Sequence, residues 1–369
     1  MRIVYNSFNG RYSDNPRAIH QGLLARGSQD EHVWLADPRH AASFPQRVRT
    51  VPIASPEAVM ALEAADLVVA NCHTDLDDWR KGEGTQYLQT WHGTPLKRIH
   101  RAAVSQPDSD VMDQLDAEIG RWDQLLTPSR AGTALLRSAF GYSGAVLETG
   151  YPRNDALNSA DRDERRARVR ASLGLAEDTV AVLYAPTYRD DEVTGDDVPL
   201  GIDLDRLTEQ LGDGHRVLLR LHYYLGHRPA ITIDARVDDV SRYPEVSDLY
   251  LAADVLVTDY SSALFDFAVT GKPILLYAYD LDHYRDRLRG FTLDLDVEAP
   301  GPVLRTQEQL TDALLDLPEV ELQYEQQYRA FRARYCHLDD GHATARVIEA
   351  LWPRLGHQQE RGRVPMGHA

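Results

Sequence analysis

Val255-Leu-Val-Thr-Asp-Tyr-Ser-Ser-Ala-Leu-Phe-Asp-Phe267 runs an apolar strand straight into a polar turn and then a helix. Val255 to Thr258 reads as a buried parallel strand, because four apolar or β-branched residues in a row suit a sheet covered on both faces. The first N–H groups of a helix lack internal partners, and the helix dipole favours negative charge there. A strand that ends in Thr-Asp-Tyr-Ser-Ser at a helix start is therefore suited to hold an anion. Ser261 and Ser262 would cap the helix and offer hydroxyls to phosphate oxygens. Taken alone, the segment suits an ordinary serine-capped strand-turn-helix equally well.

Working outward, the same alternation fills the chain. Ile3 to Asn6, His32 to Ala36, Leu67 to Ala70, Gln86 to Trp91, Leu125 to Pro128 and Ala145 to Glu148 read as strands. Helices are expected between them, including Asp14 to Arg26 with Pro16 near its start and Gly27 as its stop. Gly150-Tyr-Pro-Arg-Asn-Asp155 is turn-rich and breaks the pattern. A charged helix follows at about residues 160–172, and a second series begins with Thr179 to Tyr184, Arg216 to Leu221, Asp254 to Thr258 and Pro273 to Tyr277. Strands separated by helices of this length form βαβ units and parallel sheets. The expectation is two doubly wound α/β domains, residues 1–155 and 156–355, with a polar, mobile tail at 356–369. Ligands of such sheets bind beyond the carboxyl ends of the strands, so two facing domains place a cleft there. A helical stretch at about Glu321 to Leu355 is expected to cross back onto the N-terminal half.

Composition narrows the function classes. A chain of 369 residues with 43% hydrophobic and 26% charged residues is an ordinary globular protein large enough for two domains. No run approaches the roughly 18 apolar residues that span a bilayer, and Met1 to Ser7 lacks the apolar core of a signal peptide, so cytoplasmic residence is expected. The net charge of -17 argues against a general nucleic-acid binder. Two cysteines, Cys72 and Cys336, are too few for a disulfide framework or a cysteine zinc site. Cys72-His73 with Asp75 matches no common metal spacing, so no metal site is assigned.

Polar residues placed just after strands mark the chemistry. His92-Gly-Thr-Pro95 follows one strand, Ala185-Pro-Thr-Tyr-Arg189 another, His222 a third, and Asp259 to Ser262 a fourth. Histidine titrates near neutrality and suits proton transfer. Gly93 leaves backbone room for a close ligand, and Pro95 favours a helix start. Arg189 offers a planar fork that fits phosphate. Lys97, Arg98 and Arg101 form a local basic run, which reads either as a solvated helix face or as an anion contact. The chain has no phosphate-loop lysine motif and no Gly-rich dinucleotide fingerprint after its first strand, which disfavours ATP hydrolysis and hydride transfer.

Trp91-His-Gly-Thr-Pro-Leu-Lys-Arg-Ile99, Gly150 to Asp155, Tyr184 to Asp190, Arg220-Leu-His222, Thr258 to Ser262 with Phe265-Asp266, and Gly271-Lys-Pro273 together resemble the CDP-glycerol glycerophosphotransferase family. These enzymes are the teichoic acid primases and polymerases, with relatives that build capsule polymers. Asn15 to Ile19, Arg289-Gly-Phe291 and Asp340-Gly341 fall in the matching order, so the resemblance spans roughly residues 1–350. It implies a GT-B architecture and transfer of a polyol phosphate, glycerol phosphate first, from a CDP-activated donor to an acceptor hydroxyl. By this resemblance His92 is the base and His222 sits on the donor diphosphate. Arg189, Thr187, Thr258, Ser261 and Ser262 hold donor phosphates, and Asp259 orients that loop. Lys97 and Arg98 would meet the acceptor or an anion. The implied acceptor is lipid-linked or polymeric, with peripheral contact at the inner face of the cytoplasmic membrane. No tightly bound cofactor is implied, and the resemblance leaves divalent metal open. One departure is Tyr223, where the family usually has proline after Arg-x-His. The alternatives are a GT-B glycosyltransferase using a nucleotide sugar and a non-catalytic nucleotide- or polymer-binding protein.

Overall fold

The computed structural model describes residues 1–73, 79–103, 109–187, 200–221, 235–285 and 290–351. Seven parallel strands form the first sheet: β1 (Arg2–Asn6), β2 (Glu31–Ala36), β3 (Arg49–Pro52), β4 (Leu67–Ala70), β5 (Gln86–Gln89), β6 (Gln124–Thr127) and β7 (Ala145–Glu148). Their spatial order is β3-β2-β1-β4-β5-β6-β7. Six parallel strands form the second: β8 (Val180–Ala185), β9 (His215–Leu219), β10 (Val237–Asp239), β11 (Val255–Thr258), β12 (Ile274–Tyr277) and β13 (Val303–Leu304). Their order is β10-β9-β8-β11-β12-β13. Both sheets reverse direction beside their first strand, as doubly wound sheets do. This is the GT-B-like arrangement of two α/β units.

The central strands β4, β6, β11 and β12 are buried at every position. Alternate residues serve opposite faces. Leu183 and Leu256 join one apolar cluster, Val182 and Val257 another. Val4 and Val68 face one side of the first sheet, Ile3, Leu67 and Val69 the other. Period-two side chains with helices on both faces produce this division.

The sequence reading omits β3, β10 and β13. All three are edge strands, and β10 and β13 have three and two residues. An edge needs no continuous apolar run, so it leaves little periodic signal.

The C-terminal helix is two pieces. Leu317–Tyr335 is one helix, the chain turns at 336–342, where Gly341 has φ +91°, and 343–351 is helical again. This last piece crosses back: Val347, Ile348 and Leu351 share a cluster with Ile3 and Ile19. The Asp155 carboxylate accepts from the backbone N–H groups of Ala343 and Thr344, both at 2.8 Å, and so caps it. The tail at 356–369 lies outside the described residues.

Candidate active site

A cleft of about 660 Å³ opens between the carboxyl ends of the two sheets. His92, Asp14 and Arg153 line it from the N-terminal side, Ser261, Ser262 and Arg220 from the C-terminal side.

His92 is held from several directions. Its Nδ1 donates to the Asn71 carbonyl at 2.6 Å, because a carbonyl can only accept. That fixes the tautomer and leaves the Nε2 lone pair for a proton. The ring stacks on Trp91 at 4.1 Å between centroids and meets Phe8 at 5.3 Å. Desolvation lowers its pKa, against opposing contributions from the Asn71 hydrogen bond and from Asp14. Trp91 carries φ +49°, a left-handed conformation costly for a bulky residue. Three hydrogen bonds hold it there: its N–H donates to Gln89 Oε1, and its carbonyl accepts from Asn15 Nδ2 and Thr90 Oγ1. Phe8 and Asp14, which line the cleft, also have positive φ.

The turn after β11 faces this histidine. A Cβ placed on Gly93 would lie 2.8 Å from Ser262 Oγ and 3.1 Å from Ser262 Cβ. Only glycine permits so close an approach. The helix that follows, Ala263–Ala268, has six residues. Ser262 occupies its N-cap without a side-chain cap bond, while Ser261 Oγ accepts from Ala263 N–H at 3.2 Å. So short a helix sums few peptide dipoles and offers a weaker field to an anion than the sequence suggests.

Thr258 and Asp259 stand behind the cleft wall. Thr258 is fully buried and its hydroxyl donates to the Ala185 carbonyl at 2.7 Å. Asp259 Oδ1 accepts from Thr187 N–H at 2.9 Å and from Tyr260 N–H at 2.6 Å, which ties the turns after β8 and β11 together. His222, Tyr223, Arg189 and Asp75 lie outside the described residues.

The basic run takes a different form from a helix face. Leu96 is buried, Lys97 bridges to Phe291 in antiparallel register, and Thr292 N–H donates to Leu96 O at 2.9 Å. Thr292 Oγ1 donates to the Pro95 carbonyl at 2.7 Å, and Arg98 Nε donates to the Phe291 carbonyl at 3.0 Å. No helix starts at Pro95, because these carbonyls and amides are taken by the second half of the molecule. Lys97 and Arg98 line a separate hollow of about 360 Å³ beside Phe291 and Thr292.

Several site residues escaped the sequence reading. Arg153 is buried and forked between two carboxylates: Nη1 reaches Asp14 Oδ2 at 2.9 Å and Nη2 reaches Asp266 Oδ2 at 2.8 Å. Asn154 Nδ2 adds a bond to Asp266 at 2.9 Å. Arg153, Asp266 and Arg220 all sit inside motifs quoted above. Arg153 and Asp266 depend on partners more than a hundred residues away, and Arg220 on the carbonyls of Val240 and Tyr243, none of which strand-end placement reveals.

The family model described as CDP-glycerol:poly(glycerophosphate) glycerophosphotransferase matches residues 1–353. The chain belongs to this family. Among glycerophosphotransferase relatives, the teichoic acid glycerol-phosphate transferase of Staphylococcus aureus is 37% identical over 95% of this chain and 92% of its own length. The teichoic acid poly(glycerol phosphate) polymerase of Bacillus subtilis is 32% identical over 95% of this chain, which spans 48% of that longer protein. The solved structure of the wall teichoic acid polymerase TagF is 35% identical, with a TM-score of 0.87 over 96% of this chain and 89% of that one. A TagF variant soaked with CDPG superposes with a TM-score of 0.88 at the same identity, over 97% of this chain and 90% of that one. The family assignment agrees with the motif resemblance across nearly the whole chain.

Proposed function

We propose that this glycerophosphotransferase moves glycerol phosphate from CDP-glycerol to a hydroxyl of a lipid-linked or polymeric acceptor and releases CMP. The observation that carries the reading is the packing of Gly93 directly on Ser262, in a cleft that the His92 imidazole and both serines line. His92 Nε2 takes the proton of the acceptor hydroxyl. The freed oxygen attacks the phosphorus that bears glycerol, and the bond from that phosphorus to the CMP oxygen breaks. Phosphoryl transfer of this kind is accelerated mostly by positioning and by countering charge on the phosphate oxygens. Ser261 and Ser262 take donor phosphate oxygens, with Asp259 bracing their loop through Thr187 N–H. Thr258 braces the loop from behind through Ala185. By the family resemblance Arg189 adds charge and His222 stabilises the departing nucleotide. Residues 1–155 form the acceptor side and 156–355 the donor side.

Among the described residues no helix is long and apolar enough to cross a membrane. We assign the lipid-linked acceptor to the inner face of the cytoplasmic membrane, met by peripheral contact. Lys97 and Arg98 serve its phosphates or the lipid head groups.

Donor profiling tests the reading. CDP-glycerol, CDP-ribitol and a panel of nucleotide sugars are incubated with a short synthetic acceptor, and CMP, UDP and product length are measured. CMP release with growth by one or more glycerol phosphate units is expected. UDP release from a nucleotide sugar, with CDP-glycerol left intact, overturns it.

A further inference from the structure

Two arginines at strand ends of opposite sheets face the same cleft, and neither belongs to the chemistry above. Arg11 follows β1 on a tight turn. Its N–H donates to Ser7 O at 2.8 Å, and the neighbouring Gly10 carbonyl accepts from Asp37 N–H at 3.0 Å. A Cβ on Gly10, at φ +107°, would lie 2.2 Å from Asp37 N, so the turn is pressed against the chain beneath it. Arg220 follows β9, and its N–H continues the ladder to Tyr184 O at 2.8 Å. Both side chains line the 660 Å³ cleft.

Arg220 differs from two other cations there. Arg153 holds two carboxylates, and Arg39 is chelated by Asp37 at 2.9 Å. The Arg220 guanidinium donates from Nη1 to the carbonyls of Val240 at 3.1 Å and Tyr243 at 2.9 Å. Among the described residues it makes no ion pair with a carboxylate. Desolvation is the largest influence on it, Tyr250 and Glu245 favour its charge, and the like charge of Arg11 opposes it. A part-buried cation satisfied only by neutral carbonyls is costly, and the like charge of Arg11 on the same cleft adds to the cost. An anion between them removes both penalties. The surrounding chain carries a net charge of -17, so a polyanionic substrate needs a local positive field to enter at all.

We propose that Arg11 and Arg220 are the two jaws of a phosphate subsite that spans the cleft and draws the acceptor and donor sides together around a phosphate of the substrate. The proposal rests on the transferase reading and extends it. Each guanidinium fork offers paired N–H groups to non-bridging oxygens, the geometry arginine provides and lysine does not. The phosphate comes either from the donor diphosphate or from the terminal phosphodiester of the acceptor.

Calorimetric titration of the full chain tests it, with CDP as the donor-side probe and a synthetic glycerol phosphate dimer as the acceptor-side probe. Wild type, Arg11→Gln, Arg220→Gln and the double variant are compared. Each single substitution is expected to weaken one probe about tenfold. The double variant should lose little more than either single, because both jaws hold one anion. Loss confined to CDP assigns the donor diphosphate, and loss confined to the dimer assigns the acceptor. If Arg220→Gln fails to fold for want of its two carbonyl bonds, Arg11→Gln decides alone. Affinities within twofold of wild type for both probes in Arg11→Gln overturn the clamp, as do losses that simply multiply in the double variant. CMP release from CDP-glycerol by wild type is followed in parallel. Its absence counts against the transferase reading, whereas unchanged binding in Arg11→Gln counts against the clamp alone.

Discussion

His92 stands in a shielded position, and its protonation follows from that. Desolvation keeps its pKa below the ordinary 6.5, so the imidazole is neutral and basic at neutral pH. Activity should be retained as pH falls to 6.5 and lost only below it, as the folded-state pKa is crossed. An acid limb of kcat/KM at or above 6.5 would contradict this. His92→Ala is expected to lower CMP release by about 10²–10⁴-fold with circular dichroism unchanged. The other buried imidazoles affect stability. His20, His73 and His100 are each lowered to about 4, chiefly by desolvation. Between 6.5 and about 4 the unfolded chain binds protons that these folded histidines refuse, so acidification across that window destabilises. Asp339, raised to about 7 by burial, works in the opposite sense because its folded form holds a proton that the unfolded form releases. His32 and His92 are lowered as well and Asp266 is raised, so five imidazoles oppose two carboxyls and Tm should fall from pH 6.5 to 4. A rise over that range would refute the assignment.

At the scale of elements, the contact between the 91–95 loop and the turn after β11 sets the active geometry. Gly93→Ala drives a methyl against Ser262, whose Oγ would be 2.8 Å away. The expected result is a lower Tm and slower CMP release, since His92 shifts with its neighbour. Gly93 also has φ +157°, which strains an alanine even without the clash, so adding Ser262→Gly should restore Tm only in part, while turnover stays low for want of the hydroxyl. Failure of the double variant to recover any of the lost Tm would mean that the two loops do not meet. The segment after Pro95 is a second instance of one element shaped by another. Its backbone pairs with residues 290–292 instead of coiling into a helix.

Across the whole molecule, Arg153 joins the two halves. Asp14 belongs to the first unit and Asp266 to the second, and one buried guanidinium serves both. Arg17 pairs with Glu245 across the same boundary. Removing Arg153 leaves two carboxylates facing each other without a counter-charge. Arg153→Ala is therefore expected to cost about 3–5 kcal/mol in denaturant unfolding, the usual consequence of breaking a buried ion pair from one side. Asp266→Asn added to it should recover part of that loss, and an additive further loss would show that the charges are not coupled. Asp155, two residues on, caps the returning helix at 343–351, so this one turn governs both the cleft and the C-terminal crossover.

The central strands were legible because burial on both faces demands unbroken apolar runs, and Val255 to Thr258 or Leu67 to Ala70 can hardly serve otherwise. The place of His92, Ser261 and Ser262 on the cleft was legible because a doubly wound sheet opens its crevice at the ends of such strands. The edge strands β3, β10 and β13, the pairing of residues 95–98 with 290–292, and the Arg153 fork were not. The three strands carry no continuous apolar run. The other two features are fixed by partners distant in the chain, and nothing local distinguishes a guanidinium bound for two buried carboxylates from one bound for water. Local periodicity therefore determined the two sheets and which residues stand at their rims. Only tertiary structure decided which rim groups meet, because charge pairing and close packing act through space and leave no period in the sequence.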